Sequence, residues 1–123
     1  MRLPNYEAAE IPKEKITGYL LSATHRDGRH KAAFFMECGF SAASWQALAE
    51  ALRRHAACGE VAKREETPFG TRYTVEGLLG TPDGRSVKFR LVWFVEQGGV
   101  APRLVTAHPL PRGQKPGQNG EAC

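Results

Sequence analysis

No Cys-x-x-Cys pair, no internal repeat and no nucleotide, metal or protease motif of high specificity occurs in this sequence. Each absence narrows the field. The three cysteines, Cys38, Cys58 and Cys123, are odd in number and unmatched in spacing, which argues against a disulfide scaffold and against a zinc site. Cys38 and Cys58 stand beside apolar residues near helix ends and are expected to pack as small hydrophobes, with Cys123 exposed in a polar tail. The four histidines show no close helical spacing and no matched carboxylate, so neither a metal centre nor a cofactor is expected. No stretch approaches the roughly 20 apolar residues that cross a bilayer, and Met1 to Tyr6 carry no apolar signal core. The expectation is a soluble chain in a reducing cytoplasm, without contact with a membrane.

What is present is enough for one core. A chain of 123 residues, 41% hydrophobic and 24% charged, is the size of one compact domain. Lysine and arginine total 17 against 13 aspartate and glutamate, a net charge of +4 that favours a polyanionic partner such as nucleic acid or phosphate. The excess is modest, and many soluble enzymes carry as much.

Hydrophobic spacing divides the chain near Gly59. Before it the period is helical. Residues 13 to 22, opened by Pro12, set Ile16, Tyr19 and Leu20 on one face. Residues 29 to 37 bring Ala32, Phe34, Phe35 and then Cys38 up to Gly39, a helix stop. A third helix, capped by Ser41 or Ser44, lines up Trp45, Leu48, Leu52 and His55 or Ala56. After Gly59 the period is two. Tyr73, Val75 and Leu79 alternate with polar residues, as do Val87, Phe89, Leu91, Trp93 and Val95, and the latter strand is also apolar on its other face at Val92 and Phe94. Arg103 to His108 makes a further strand, and Glu60 to Glu66 reads as a weaker edge strand. Gly77 inside a strand pattern points to a bulge, and both Trp45 and Trp93 are expected in the core. The fold class is therefore α+β: two or three N-terminal helices packed on one face of a three- or four-stranded antiparallel β-meander, forming a single domain over residues 1–110. Residues 111–123, rich in Gly, Pro, Gln and Asn, are expected to be a disordered tail.

Several strings carry a resemblance. Leu3-Pro4-Asn5-Tyr6, Lys15-x-x-x-Tyr19-Leu20-Leu21, Gly28-Arg29-His30-Lys31-Ala32 with Phe34-Phe35, Gly39-Phe40, Thr81-Pro82-Asp83-Gly84, Val92-Trp93 and Pro102-Arg103-Leu104-Val105-Thr106-Ala107 look like a small bacterial domain family of unknown function. That resemblance covers about residues 3–110 and brings no activity. The order of helices followed by a meander is similar, more loosely, to the barnase, EndoU, colicin and RelE-like fold of metal-independent ribonuclease toxins. It implies that a basic residue or histidine on a helix and a Thr or Ser on the last strand meet over the sheet.

Chemistry can be assigned on that basis. Cleaving RNA without metal needs a base for the 2′-hydroxyl, an acid for the leaving 5′-oxygen and cations on the phosphate. His30, whose imidazole would be held neutral by adjacent Arg29 and Lys31, suits the base, and His108 the acid. Lys31 and Lys15 would clamp phosphate and Thr106 would donate to a phosphoryl oxygen, so His30, Lys31, Thr106 and His108 form the candidate catalytic set, with Lys15, Arg29, Arg90 and Arg103 binding substrate. The competing reading makes Arg29 to Lys31 a solvated helix start, Thr106 and His108 ordinary strand residues, and Lys88 and Arg90, which project with Thr74 and Glu76 on the outer sheet face, part of a solvated surface with one cross-strand ion pair. That outer face lacks the interleaved aromatics of an RNA platform. His25 reads as a loop residue and His55 as bordering the core. The functional expectation is a ribonuclease toxin-like domain with RNA and a small acidic antitoxin-like protein as partners. The alternative is a non-enzymatic protein-interaction module, or an accessory domain of a larger bacterial system.

Overall fold

The computed structural model describes residues 1–21 and 29–110, without the side chains of Tyr19, Arg29, His30, Lys31 and Ala42. His25, Cys123 and the tail expected over 111–123 lie outside the described residues.

Among the described residues three α-helices, preceded by a 3₁₀ turn at Tyr6–Ala8, come before four strands. α1 begins at Lys13–Lys15 and passes directly into a wider π-helical stretch, Ile16–Leu20, closed by an i→i+5 bond from Leu21 N–H to the Ile16 carbonyl at 2.7 Å. α2 spans Arg29–Glu37. It stops at Gly39 for a specific reason: Gly39 N–H donates to Met36 O and Phe40 N–H to Phe35 O, both at 3.0 Å, with Gly39 at φ 105°. That is the Schellman closure, and the Phe40 and Phe35 rings complete it with an edge contact at 5.9 Å. α3 spans Trp45–Cys58 after a 3₁₀ turn, Ala42–Ser44, whose capping side chain is Ser41 rather than Ser44, accepting from Ser44 N–H at 3.3 Å.

The strands β1 (Glu60–Thr67), β2 (Gly70–Gly80), β3 (Ser86–Glu96) and β4 (Arg103–Pro109) form one antiparallel meander in the order β1-β2-β3-β4. The architecture is thus the α+β arrangement expected from the spacing. Tyr73, Val75 and Leu79 of β2, Phe89, Leu91 and Trp93 of β3, and Leu104 and Ala107 of β4 are buried on one face. The helices cover that face: the Phe35 ring stacks on Phe89 at 5.2 Å, Phe34 meets it edge-on at 5.6 Å, and Leu48 and Leu52 of α3 join the same core. Trp45 differs from expectation. It is only half-buried at the start of α3, where its ring lies under the Lys13 ammonium at 5.4 Å, a cation–π contact that needs one side of the indole open. Cys38 packs as a buried free thiol, whereas Cys58 is not free.

The N-terminal segment runs alongside β4. Glu10 N–H donates to Pro102 O at 2.7 Å and Leu104 N–H to Glu10 O at 3.0 Å, so a parallel bridge covers part of an otherwise open sheet edge.

Two ladders slip by one residue, between Val61 and Lys63 of β1, and on β4 opposite Val92 and Trp93. Gly77 is not one of these bulges. It pairs in unbroken register with Phe89, and a Cβ there would stand 3.0 Å from Gly59 Cα and 3.6 Å from His55 Nε2. Close approach of α3 to the sheet requires the glycine.

That approach brings His55 fully into the core, 1% exposed, with Nε2–H donating to the Phe89 carbonyl at 2.9 Å and Nδ1 without a partner among the described residues. Burial pushes its pKa below the usual histidine range, against a smaller upward pull from the backbone of Phe89 and Gly77. A depressed folded-state pKa means that the unfolded chain takes up the proton first. The contribution of His55 to stability is therefore complete above about pH 6.5 and declines as the pH falls, by up to about 1.4 kcal/mol per unit. Urea denaturation of the parent and of His55→Gln between neutral and mildly acidic pH should show the steeper decline in the parent. Equal slopes would mean that His55 does not titrate between the two states.

Candidate functional site

Side-chain parity divides the expected site residues between the two faces of the sheet. Ala107 is fully buried against the helices, so its neighbours Thr106 and His108 project from the opposite face. Phe89 and Leu91 are likewise buried, which turns Arg90 outward, and Val75 does the same for Thr74 and Glu76. Among the described residues the helices pack their apolar side chains on the opposite face.

The registers align these residues in rows. Glu76 of β2 faces Arg90 of β3, which faces His108 of β4. Thr74, Val92 and Thr106 form the next row, with Lys63 of β1 opposite Thr74. Arg72, Phe94 and Arg103 form a third. In the first row the Arg90 guanidinium donates twice to Glu76 Oε2, at 2.8 and 3.0 Å, an ion pair on partly exposed side chains. Directly opposed residues on neighbouring strands lie about 5 Å apart at Cα. Glu76 and His108 therefore stand on either side of Arg90, with their Cα atoms about 10 Å apart across the row. Such an arrangement can hold a phosphodiester on the arginine with a proton acceptor to one side and a proton donor to the other.

At the end of the third row Lys15 comes in from α1. Together with Arg72, Arg103, Phe94 and Glu14 it lines a cleft of about 730 Å³. Two of the expected substrate-binding residues, Lys15 and Arg103, are thus brought together, while Arg90 and the pair Thr106 and His108 occupy adjoining rows. Arg29, His30 and Lys31 form the first turn of α2, whose Phe34 and Phe35 pack on the helix-covered face; the side chains of the three lie outside the description. The expected meeting of these residues with Thr106 and His108 across the helix–sheet seam is not supported from the β4 side. Those two residues point away from α2 because the β4 bulge falls between Leu104 and Ala107. Among the described residues no group of three or more His, Cys, Asp and Glu side chains is gathered in a way that could hold a metal. No described helix is long and apolar enough to cross a membrane.

Three residues of this face escaped the sequence reading as site residues. Glu76 was legible as sharing the outer face with Arg90, where a cross-strand ion pair was expected and is found, but not as a proton acceptor; Arg72 was legible only as a polar position of a strand. Phe94 carried a signal: it shares parity with Lys88 and Arg90, which places an aromatic ring among the cations of the outer face and corrects the expectation that this face has none.

A family model described as a domain of unknown function, DUF6883, matches residues 2–111. The chain belongs to the DUF6883 family. The rows just described are therefore features of this DUF6883 domain's sheet, and the family's description assigns no activity to them. No curated protein matches the chain. Among solved structures the DUF6883 domain is similar to a chain of a contact-dependent growth inhibition toxin–immunity protein complex from Klebsiella pneumoniae 342, with 18% identity and a TM-score of 0.66. The match covers 81% of this chain and 98% of that one, and at this identity it is a likeness of fold.

Proposed function

We propose that this domain is a metal-independent ribonuclease of toxin type, acting in the cytoplasm through the face of its sheet opposite the helix-packed core. The observation that carries this reading is the cross-strand row Glu76–Arg90–His108. Glu76 takes the proton of the 2′-hydroxyl, and the 2′-oxygen attacks phosphorus. Arg90 binds the phosphoryl oxygens as negative charge builds on them, and Thr106, one row away, adds a hydrogen bond. His108 gives its proton to the departing 5′-oxygen. The phosphorus–5′-oxygen bond breaks as the 2′-oxygen bond forms, leaving a 2′,3′-cyclic phosphate and a 5′-hydroxyl. Arg90 and Glu76 hold each other in place before RNA arrives, and phosphate competes with the carboxylate for the guanidinium.

The fold likeness to a toxin–immunity complex supports a setting in which a dedicated protein neutralises the activity. A small acidic protein seated on Lys63, Arg72, Arg90 and Arg103 would exclude RNA from the same face. The test is chemical. Incubated with single-stranded RNA and excess EDTA, the purified domain should release fragments with cyclic phosphate ends, at a rate that EDTA does not change. RNA left intact at every pH would contradict the reading and favour the non-enzymatic interaction module.

A further inference from the structure

We infer that the cleft at the α1 end of β4 is a nucleotide subsite, in which a base stacks on Phe94 while Lys15, Arg72 and Arg103 hold the adjoining phosphate. The inference rests on the reading of the outer face as an RNA-cleaving surface and adds its substrate class: an extended single strand longer than a dinucleotide.

The position of the ring is the first observation. Phe94 is half-buried between Arg72 and Arg103 on the strands to either side, and its Cζ lies 2.8 Å from where a Cβ would stand on Gly70. The ring therefore leans across β2 over a residue that has no side chain, where any other residue would push it off the sheet. It is kept low on the sheet and only partly covered, which suits a stacking platform. Every base has a π face, so such a platform accepts any sequence.

Charge is the second. The cleft gathers three cations from three separate elements, α1, β2 and β4, against one carboxylate, Glu14. An apolar ring within a cationic rim suits a nucleotide better than it suits a free anion, which has no use for the ring, or an apolar peptide, which has no use for the charge.

Spacing is the third. Phe94 and Arg90 are four residues apart on β3, or about 13 Å, which is about two nucleotides of extended strand. A chain with its scissile phosphate on Arg90 and running along β3 thus delivers a second base to Phe94. A dinucleotide fills the Arg90 row and stops short.

Binding to probes that cannot be cleaved separates this inference from the cleavage reading. The probes are a 2′-O-methyl uridine hexamer, the corresponding dimer, and inorganic polyphosphate, each titrated against the parent, Phe94→Leu and Phe94→Tyr. Leucine retains an apolar cover over Gly70, and tyrosine retains the ring. For Phe94→Leu the hexamer should weaken about 10-fold, while the dimer and polyphosphate change less than about 2-fold and Phe94→Tyr binds the hexamer like the parent. Equal losses on hexamer and polyphosphate, equal losses on hexamer and dimer, or an unchanged hexamer would each overturn the subsite. A parent that cleaves RNA but shows no Phe94 effect loses the subsite and keeps the activity. A parent that binds the hexamer through Phe94 but never cleaves keeps the subsite and loses the activity.

Discussion

Replacing Phe89 with alanine should cost about 3 to 5 kcal/mol of stability, the range for removing a fully enclosed phenyl ring. Phe89 is completely buried, and Phe34 and Phe35 both make ring contact with it from α2. Its partner on β2 is Gly77, which has no side chain to move into the space left behind, so the cavity cannot collapse from that side. The His55 bond survives in the variant because it is made to the Phe89 backbone carbonyl, so the measured loss reports the ring alone. Urea denaturation of the two proteins gives the difference. A loss near 1 kcal/mol would mean that the ring is not enclosed and that the faces of β3 are assigned the wrong way round.

Much of the fold was legible because burial imposes a period. The five apolar residues Val87, Phe89, Leu91, Trp93 and Val95 recur at intervals of two along β3, and the structure puts the middle three fully inside. Gly39 ended α2 as its sequence position implied. The π-helical stretch Ile16–Leu20 was not legible, since the residues that favour an α-helix also tolerate a wider turn and only the tertiary setting selects it. Gly77 was recognised as special for the wrong reason: a glycine within a strand marks either a bulge or a close approach, and only the position of His55 and Gly59 distinguishes the two.

The candidate site was legible in part. Thr106 and His108 share a face, as a spacing of two dictates, but the face itself depends on the bulge. In a regular strand Leu104, Thr106 and His108 would all point the same way, toward the helices. One extra residue between Leu104 and Ala107 reverses everything beyond it. The Glu76–Arg90 pair was within reach of strand parity, but the addition of His108 to that row depends on the registers of two ladders at once. Phe94 was not legible as a site residue because β3 is apolar on both faces at its end, so parity alone does not separate a packing ring from one that lines a cleft.

Cleavage by His108→Ala is the most direct test of the claim that the sheet face opposite the helix-packed core performs the chemistry. With RNA in single turnover, EDTA present throughout and the fold checked by denaturation, the variant should be slower by about 100-fold or more, the usual loss when a general acid is removed. The parent's rate should be bell-shaped in pH, because one group must be deprotonated and the other protonated. His108→Ala should lose the alkaline limb and Glu76→Gln the acidic limb. Parent-like cleavage by His108→Ala, with both limbs of the profile intact, would contradict the account and move the chemistry off this face of the sheet.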